Sequence, residues 1–472
     1  MSEVRPEISE RTEDFLDAKE TIFSLFEDSK GPKHVIFPQK LAENAEEIKK
    51  TFEQIGLEHS IYFAHKPTKS SVLVKKAEET GINIDVASEP ELESALNAGF
   101  TGDRIECTGP KNKDFLERAV EENCMISLDS FNELNILTKV LEEKDTEAQV
   151  LLRIADPSNP DRDLSLPVSK FGVNRDRAEQ AIQKIAETSN IELKGFHFHN
   201  DVREADSNAG FVADCLELIK KSYSQGLKPD TINIGGGLRK NQLEDLGDWT
   251  DFIARLEEDI IEDRQTETWR DNGYGMHLNL KGRVSGRDKL QGRFTDNNYQ
   301  QVLENMFNYR YIGRNLSDQL RENMFQVITE PGKLLLDQCG VTFVRVVGTK
   351  ELPSGEKMVQ VDANKYNLSG NMSEQLMDPI HIQENNESNS ESCEAFVGGN
   401  LCLEEDLLIH RKIEFDSEPE NGDILCFVNT VSNYVDFEDA APHMHPRGQK
   451  MVAVKQNSWK VKTETEYLEE KY

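Results

Sequence analysis

The sequence predicts an α/β protein: a (β/α)8 barrel followed by an antiparallel β domain. Three observations predict it. Between about Ser60 and Gly332, eight short apolar or β-branched runs alternate with longer stretches of helical spacing, and parallel strands need a crossover helix of that kind. No GxGxxG turn follows the first run, as an open doubly wound dinucleotide-binding sheet would want, and eight repeats favour closure. After Gly332 short alternating runs appear, the texture of an antiparallel sheet.

Taken in order, residues 1–37 are expected to pack with the β domain, 38–335 to form the barrel, and 336–472 to form the β domain. The barrel strands are expected in SIYFAHK (60–66), NIDVAS (83–88), RIECTG (104–109), MISLDS (125–130), QVLLRIA (149–155), IELKGFHFH (191–199), TINIGGG (231–237) and FQVITEPG (325–332). The intervening stretches are amphipathic. Val212, Cys215, Leu216 and Ile219 share one helical face, as do Trp249, Phe252, Ile253, Leu256 and Ile260. Residues 239–324 exceed what one crossover helix needs and read as a functional insertion. The later strands are expected in GVTFVRVVG (340–348), KMVQVDAN (357–364), DILCFVNTV (423–431) and QKMVAVKQ (449–456), with NNESNSES (385–392) a low-complexity loop.

The net charge of −32 argues against a nucleic-acid binder and against docking on an anionic membrane. No run of 18 apolar residues and no signal-like N-terminus is present, so a cytoplasmic protein is expected. Seven scattered cysteines without a CxxC pair read as reduced thiols.

In a barrel, side chains at the C-terminal strand ends face the active site. Lys66 closes the first run. It is either a rim lysine reaching water or an amine for Schiff-base chemistry. His197 and His199, two apart on a strand, share a face. A metal site is not expected, because no third and fourth ligand accompany them and HMH (443–445) lies in the other domain. Gly235, Gly236 and Gly237 offer bare N–H groups for a phosphate, or a flexible turn. Glu330 is a structural ion-pair partner or a hydrogen-bond partner for a ring nitrogen. Arg153, within QVLLRIA (149–155), is a candidate for binding substrate.

Together these parts resemble the fold-type III pyridoxal-phosphate enzymes related to diaminopimelate and ornithine decarboxylases, with the alanine-racemase-like fold, over roughly 35–455. YFAHK (62–66) looks like the Schiff-base strand, GFHFHN (195–200) like the ring-stacking histidine motif, IGGG (234–237) like the phosphate glycines and TEPGK (329–333) like EPGR. SKFG (169–172) and GGNLCLEEDLL (398–408) are similar to two further family segments. An uncharacterised decarboxylase-like branch carries AHK and GNLCLE motifs of this kind.

The resemblance implies pyridoxal 5'-phosphate as cofactor and a role for each residue. Lys66 would hold the cofactor covalently. Gly235, Gly236 and Gly237 would bind its phosphate, with Lys333 and Tyr434 contributing. His199 would stack on the ring with His197 nearby, and Glu330 would pair with the ring nitrogen. Cys402 would protonate the carbanion from across a dimer interface. Apart from the resemblance, the acidic run Glu404, Glu405 and Asp406 points to a cationic substrate end, met by Glu404, or is a solvated charge run. Four departures stand out: Asn200, Asp201 and Val202 follow the stacking histidine, Lys333 replaces arginine, Leu403 follows the cysteine, and Tyr434 sits one position late. The implied function is amino-acid decarboxylation, on a diamino acid or a conjugate. The alternatives are a racemase or lyase on the same fold, a non-catalytic cofactor binder, or a metal-dependent barrel hydrolase.

Overall fold

The computed structural model describes residues 3–155, 169–200, 205–287, 290, 294, 298–368, 376–384, 391–431, 436 and 440–471. The chain divides into two compact units: residues 41–239 with 298–335, and residues 1–40 with 240–297 and 336–472.

The first unit holds a closed barrel of eight strands: β1 (His59–Ala64), β2 (Asn83–Val86), β3 (Ile105–Cys107), β4 (Met125–Leu128), β5 (Ala148–Arg153), β6 (Ile191–His197), β7 (Thr231–Asn233) and β8 (Gln326–Thr329). Each pairs parallel with its neighbour, and β8 closes the ring on β1 with Val327 opposite His59. The strands end two to four residues before the apolar runs do. The excess residues, including Lys66, His199, Gly235–Gly237 and Glu330, form the turns that leave the barrel.

Strand periodicity sorts the side chains. Ile84 and Val86, Ile105 and Cys107, Ile126 and Leu128 are buried apolar residues of one parity. Tyr62, Leu151 and Ile328, of the other, pack together with Met125 as an interior layer. Above that layer the same parity places Asp85, Glu106, Ser127, Arg153, His197 and Asn233 at the C-terminal ends. Helices Ser71–Thr80, Glu89–Asn97, Lys113–Glu121 and Phe131–Lys144 start on side-chain caps from Ser70, Ser88, Asn112 and Ser130, each satisfying an orphan first-turn N–H.

The second unit is built on a nine-stranded sheet. Its strand Gly340–Glu351 pairs antiparallel with Lys357–Val361 and Ile424–Phe427. Two pairs are parallel: Lys357–Val361 with Cys393–Gly398, and Lys33–Ile36 with Gln449–Lys455. The expected antiparallel sheet is therefore mixed. The expected insertion 239–324 is divided. Residues 240–297 cluster with this unit because Leu243, Trp249, Phe252, Leu256 and Met276 share a core with Val4, Leu376 and Met377. Residues 298–324 stay with the barrel unit. No helix among the described residues is long and apolar enough to cross a membrane.

Candidate active site

A tight turn carries Lys66. His65 N–H donates to the Asp85 carbonyl at 3.0 Å and Thr68 N–H to the His65 carbonyl at 3.2 Å. The His65 ring lies 3.1 Å from the Thr68 carbonyl and 3.0 Å from Ser94 Oγ. Lys66 sits exposed at the tip, with the buried Asp85 carboxyl as a neighbour. The turn leaving β8 packs against it: Ala64 N–H donates to the Pro331 carbonyl, and a Cβ on Gly332 would come within 2.8 Å of Pro67.

The glycines after β7 are locked to that same turn. Glu330 N–H donates to the Gly235 carbonyl at 2.8 Å, and Gly235 N–H donates to Asn233 Oδ1 at 2.8 Å. A Cβ on Gly235 would meet the Phe198 carbonyl at 2.7 Å, and one on Gly236 the Glu330 carbonyl at 2.6 Å. Gly235 and Gly237 hold φ of +66° and +88°. The segment is therefore a cradle that side chains would fill, rather than a merely flexible turn.

His197 and His199 converge on Glu330. Glu330 Oε1 lies 3.4 Å from His197 Nε2, and Oε2 lies 3.6 Å from His199 Nδ1. The donor atoms of the three residues lie within 4.8 Å of one another, so the structure supplies the third member that the HxH spacing lacked. That spacing alone suits a cation or a protonated ring nitrogen.

Burial works to raise the Glu330 pKa, yet its contacts with His199 and the Asn233 amide hold it below the usual carboxylate range. His197 is 1% exposed, and burial pushes it down to about 3, so it is neutral and Glu330 ionised. Ser127 Oγ lies 2.7 Å from His197 Nδ1, while Nε2 is buried without a hydrogen-bond partner. His199 keeps a third of its side chain exposed, and Gly236 N–H donates to its Nδ1 at 3.3 Å.

Arg153 ends β5, nearly buried, 3.7 Å from Asp129 Oδ1 and over the Phe171 ring at 4.7 Å. The SKFG turn is what brings Phe171 there. Gly172 N–H donates to Asp129 Oδ1 at 2.9 Å, and its φ of +87° packs it where a Cβ would meet Ala155 N at 2.8 Å. Lys333 is half-buried in the turn after β8.

The β unit carries Cys402 and Glu404. Cys402 is exposed. Its loop folds around buried Asp406, which accepts from Leu401 N–H at 2.8 Å and Lys365 N–H at 3.0 Å. Glu404 and Glu405 are exposed and pair with Arg270. The acidic run is thus split between one structural residue and two surface ones. Tyr434, Asp201 and Val202 lie outside the described residues.

The sequence reading missed six residues: Asn233, Glu106, Thr108, Asp85, Lys111 and Ser127. Asn233 Nδ2 donates to Glu330 Oε1 at 2.6 Å and to Glu106 at 2.9 and 3.1 Å. Thr108 Oγ donates to Asp85 at 2.5 Å. Lys111 Nζ, also buried, donates to the carbonyls of Gly109 and Ser127, both at 2.6 Å, and meets Glu133 at 3.2 Å. Ser127 completes the set. Burial first, and Glu330 second, push the Asp85 and Glu106 carboxyls well up.

A parallel barrel with a lysine turn, a glycine cradle and a carboxylate–histidine cluster at its C-terminal ends defines a pyridoxal-phosphate barrel enzyme. Two features fit the cofactor: the cradle, which a Cβ would close, and the partnerless His197 Nε2 beside an ionised carboxylate. Residues 39–268 match the family described as pyridoxal-dependent decarboxylase, pyridoxal binding domain. An uncharacterized protein of Sinorhizobium fredii is 28% identical over 420 residues, 88% of this chain and 86% of that protein. The diaminopimelate decarboxylase of Staphylococcus aureus is 24% identical over 437 residues, 89% of each chain. Among solved structures, the diaminopimelate decarboxylase of M. jannaschii in co-complex with L-lysine superposes with a TM-score of 0.69 at 19% identity, covering 99% of this chain and 98% of that one, a likeness of fold. Residues 39–268 therefore resemble the pyridoxal-binding domain of the pyridoxal-dependent decarboxylases, and the cofactor is pyridoxal 5'-phosphate.

Proposed function

We propose that this chain decarboxylates an amino acid with Lys66 as the covalent attachment point of its cofactor. The observation that carries the reading is the convergence of His197 and His199 on the buried Glu330 carboxyl beside the glycine cradle. When bound, pyridoxal phosphate supplies an electron sink for the pair left on the α-carbon as carbon dioxide departs.

The chain's own residues do the rest. Gly235, Gly236 and Gly237 let backbone approach the phosphate, with Lys333 and Tyr434 in support. Glu330 keeps a proton on the ring nitrogen, because a buried carboxylate that stays ionised strongly favours a cation beside it. This favours decarboxylation over racemisation, which needs a weaker sink. His199, a third exposed, covers the ring face, and neutral His197 orients Glu330. Lys66 Nζ, at an exposed tip, is free to be displaced by the substrate amine. Cys402, exposed on its own protomer, protonates the α-carbon in the site of a partner subunit, which makes the working unit a homodimer.

The substrate is proposed to be a diamino acid or a conjugated amino acid. The relatives named diaminopimelate decarboxylase support the first, and Glu404 would meet the distal cation after leaving Arg270. Arg153, tied to Asp129, would shape the substrate wall. Acidic character and seven free thiols fit a cytoplasmic enzyme.

The test is borohydride reduction of the holoprotein with peptide mapping, followed by a panel of amino acids scored for carbon dioxide and for chiral inversion. A modified Lys66 with carbon dioxide release is expected. An unmodified Lys66 sinks the mechanism, and inversion without carbon dioxide makes the chain a racemase.

A further inference from the structure

Glu106 is fully buried at the centre of β3. It belongs neither to the cofactor cradle nor to the Lys66 turn. The Asn233 amide has only one possible orientation, because its Oδ1 accepts the Gly235 N–H at 2.8 Å. Its Nδ2 must then face the barrel interior, where it reaches Glu330 Oε1 at 2.6 Å and both oxygens of Glu106 at 3.1 and 2.9 Å. An amide has two N–H bonds: one serves Glu330 and the other is shared across Glu106.

Other charged and titratable groups face Glu106. Lys111 has spent its three donors on the Gly109 and Ser127 carbonyls and on Glu133. His197 Nδ1, 4.0 Å away, is occupied by Ser127. Asp85 and Glu330 are acids, and Tyr62 is a buried phenol. Two buried carboxylates on one amide nitrogen, with no free cation between them among the described residues, cannot both be charged.

We propose that Glu106 is a positioning residue: as an uncharged acid it anchors Asn233, which in turn holds Glu330 as the charged member facing the cofactor ring. This rests on the reading that Glu330 meets the ring nitrogen. A neutral Glu106 supplies the acceptor that fixes the amide without adding an anion that would drive Glu330 to take up a proton. Burial and Glu330 both keep its proton in place. When Glu106 ionises at high pH, a second buried anion appears on the Asn233 amide and the cofactor environment changes.

The first test is infrared spectroscopy of the apoprotein. Wild type should show the carbonyl stretch of a protonated carboxylic acid at neutral pH, weakened in Glu106→Gln. The second is a pH titration of the holoprotein's cofactor absorbance. Wild type should show an alkaline transition that Glu106→Gln abolishes. Third, Glu106→Leu, once circular dichroism shows it folded, should bind the cofactor about tenfold more weakly, the effect of one lost hydrogen bond, with Glu106→Gln restoring wild-type affinity.

An unchanged acid band in Glu106→Gln overturns the proposal, as does an unchanged alkaline transition. An unmodified Lys66 would remove the function above but leave the infrared result standing, so the two failures are distinguishable.

Discussion

Ser127 Oγ lies 2.7 Å from Nδ1 of His197, behind the ring whose Nε2 faces Glu330 Oε1 at 3.4 Å. His197 is neutral and carries one N–H. The charged Glu330 puts that proton on Nε2, so Ser127 is the donor to Nδ1. Ser127→Ala strands Nδ1 in the interior. We expect it to cost about 1–3 kcal/mol, the desolvation penalty of an unmade buried hydrogen bond. Chemical denaturation reads the loss, and a variant as stable as wild type would refute this tautomer.

Lys66→Ala removes an exposed side chain. Stability should stay within about 0.5 kcal/mol of wild type, while turnover and the absorbance of covalently held cofactor both vanish. Measuring both separates loss of chemistry from loss of fold.

Gly236→Ala places a methyl group 2.6 Å from the Glu330 carbonyl oxygen. Overpacking of this kind costs about 1–3 kcal/mol, and the cradle narrows with it. Cofactor affinity should fall, as read by absorbance titration. Gly210, within helix Ala205–Ser224, has open space around its missing Cβ. Alanine there should leave affinity unchanged.

The buried acids give two opposite pH dependences. Glu330 is depressed to about 2, below the unfolded value of about 4.3. Its contribution to stability is present above the unfolded value and lost as pH falls through the folded one. An acid limb in activity near neutrality would therefore not come from Glu330. Glu106 is raised, so its contribution is present below the unfolded value and lost as pH rises through the folded one. Glu106→Gln should gain on wild type by up to about 1.4 kcal/mol for each pH unit across that interval. Urea denaturation of apoprotein at a series of pH values measures this, and a pH-independent difference would count against a protonated Glu106.

The eight barrel strands were legible because buried parallel strands write themselves as continuous apolar runs. Lys66, His197, Gly235 and Glu330 stood out because they interrupt those runs at their ends. Asp85, Glu106, Ser127 and Asn233 were missed because they lie inside the runs. The available signal was one polar residue flanked on both sides by buried apolar ones, as in Ile105–Glu106–Cys107. In the β unit, Cys393–Gly398 and Leu407–Phe415 were overlooked because charged residues break their pattern. One of these, Arg411, is fully buried, its Nη2 donating to Asp378 and the Leu376 carbonyl. The division of 239–324 was unreadable, since its core partners Val4 and Leu376 are remote in sequence.

The short strand Lys33–Ile36 lies opposite Phe343–Gly340 on one side and Gln449–Val452 on the other. A ribosome making this chain releases that segment roughly three hundred residues before its first partner exists. Until then its edges have no mates, and exposed edges recruit other chains. Nascent protein should therefore lean on chaperones until translation is nearly finished, and fragments ending near residue 335 should aggregate instead of yielding a free-standing barrel.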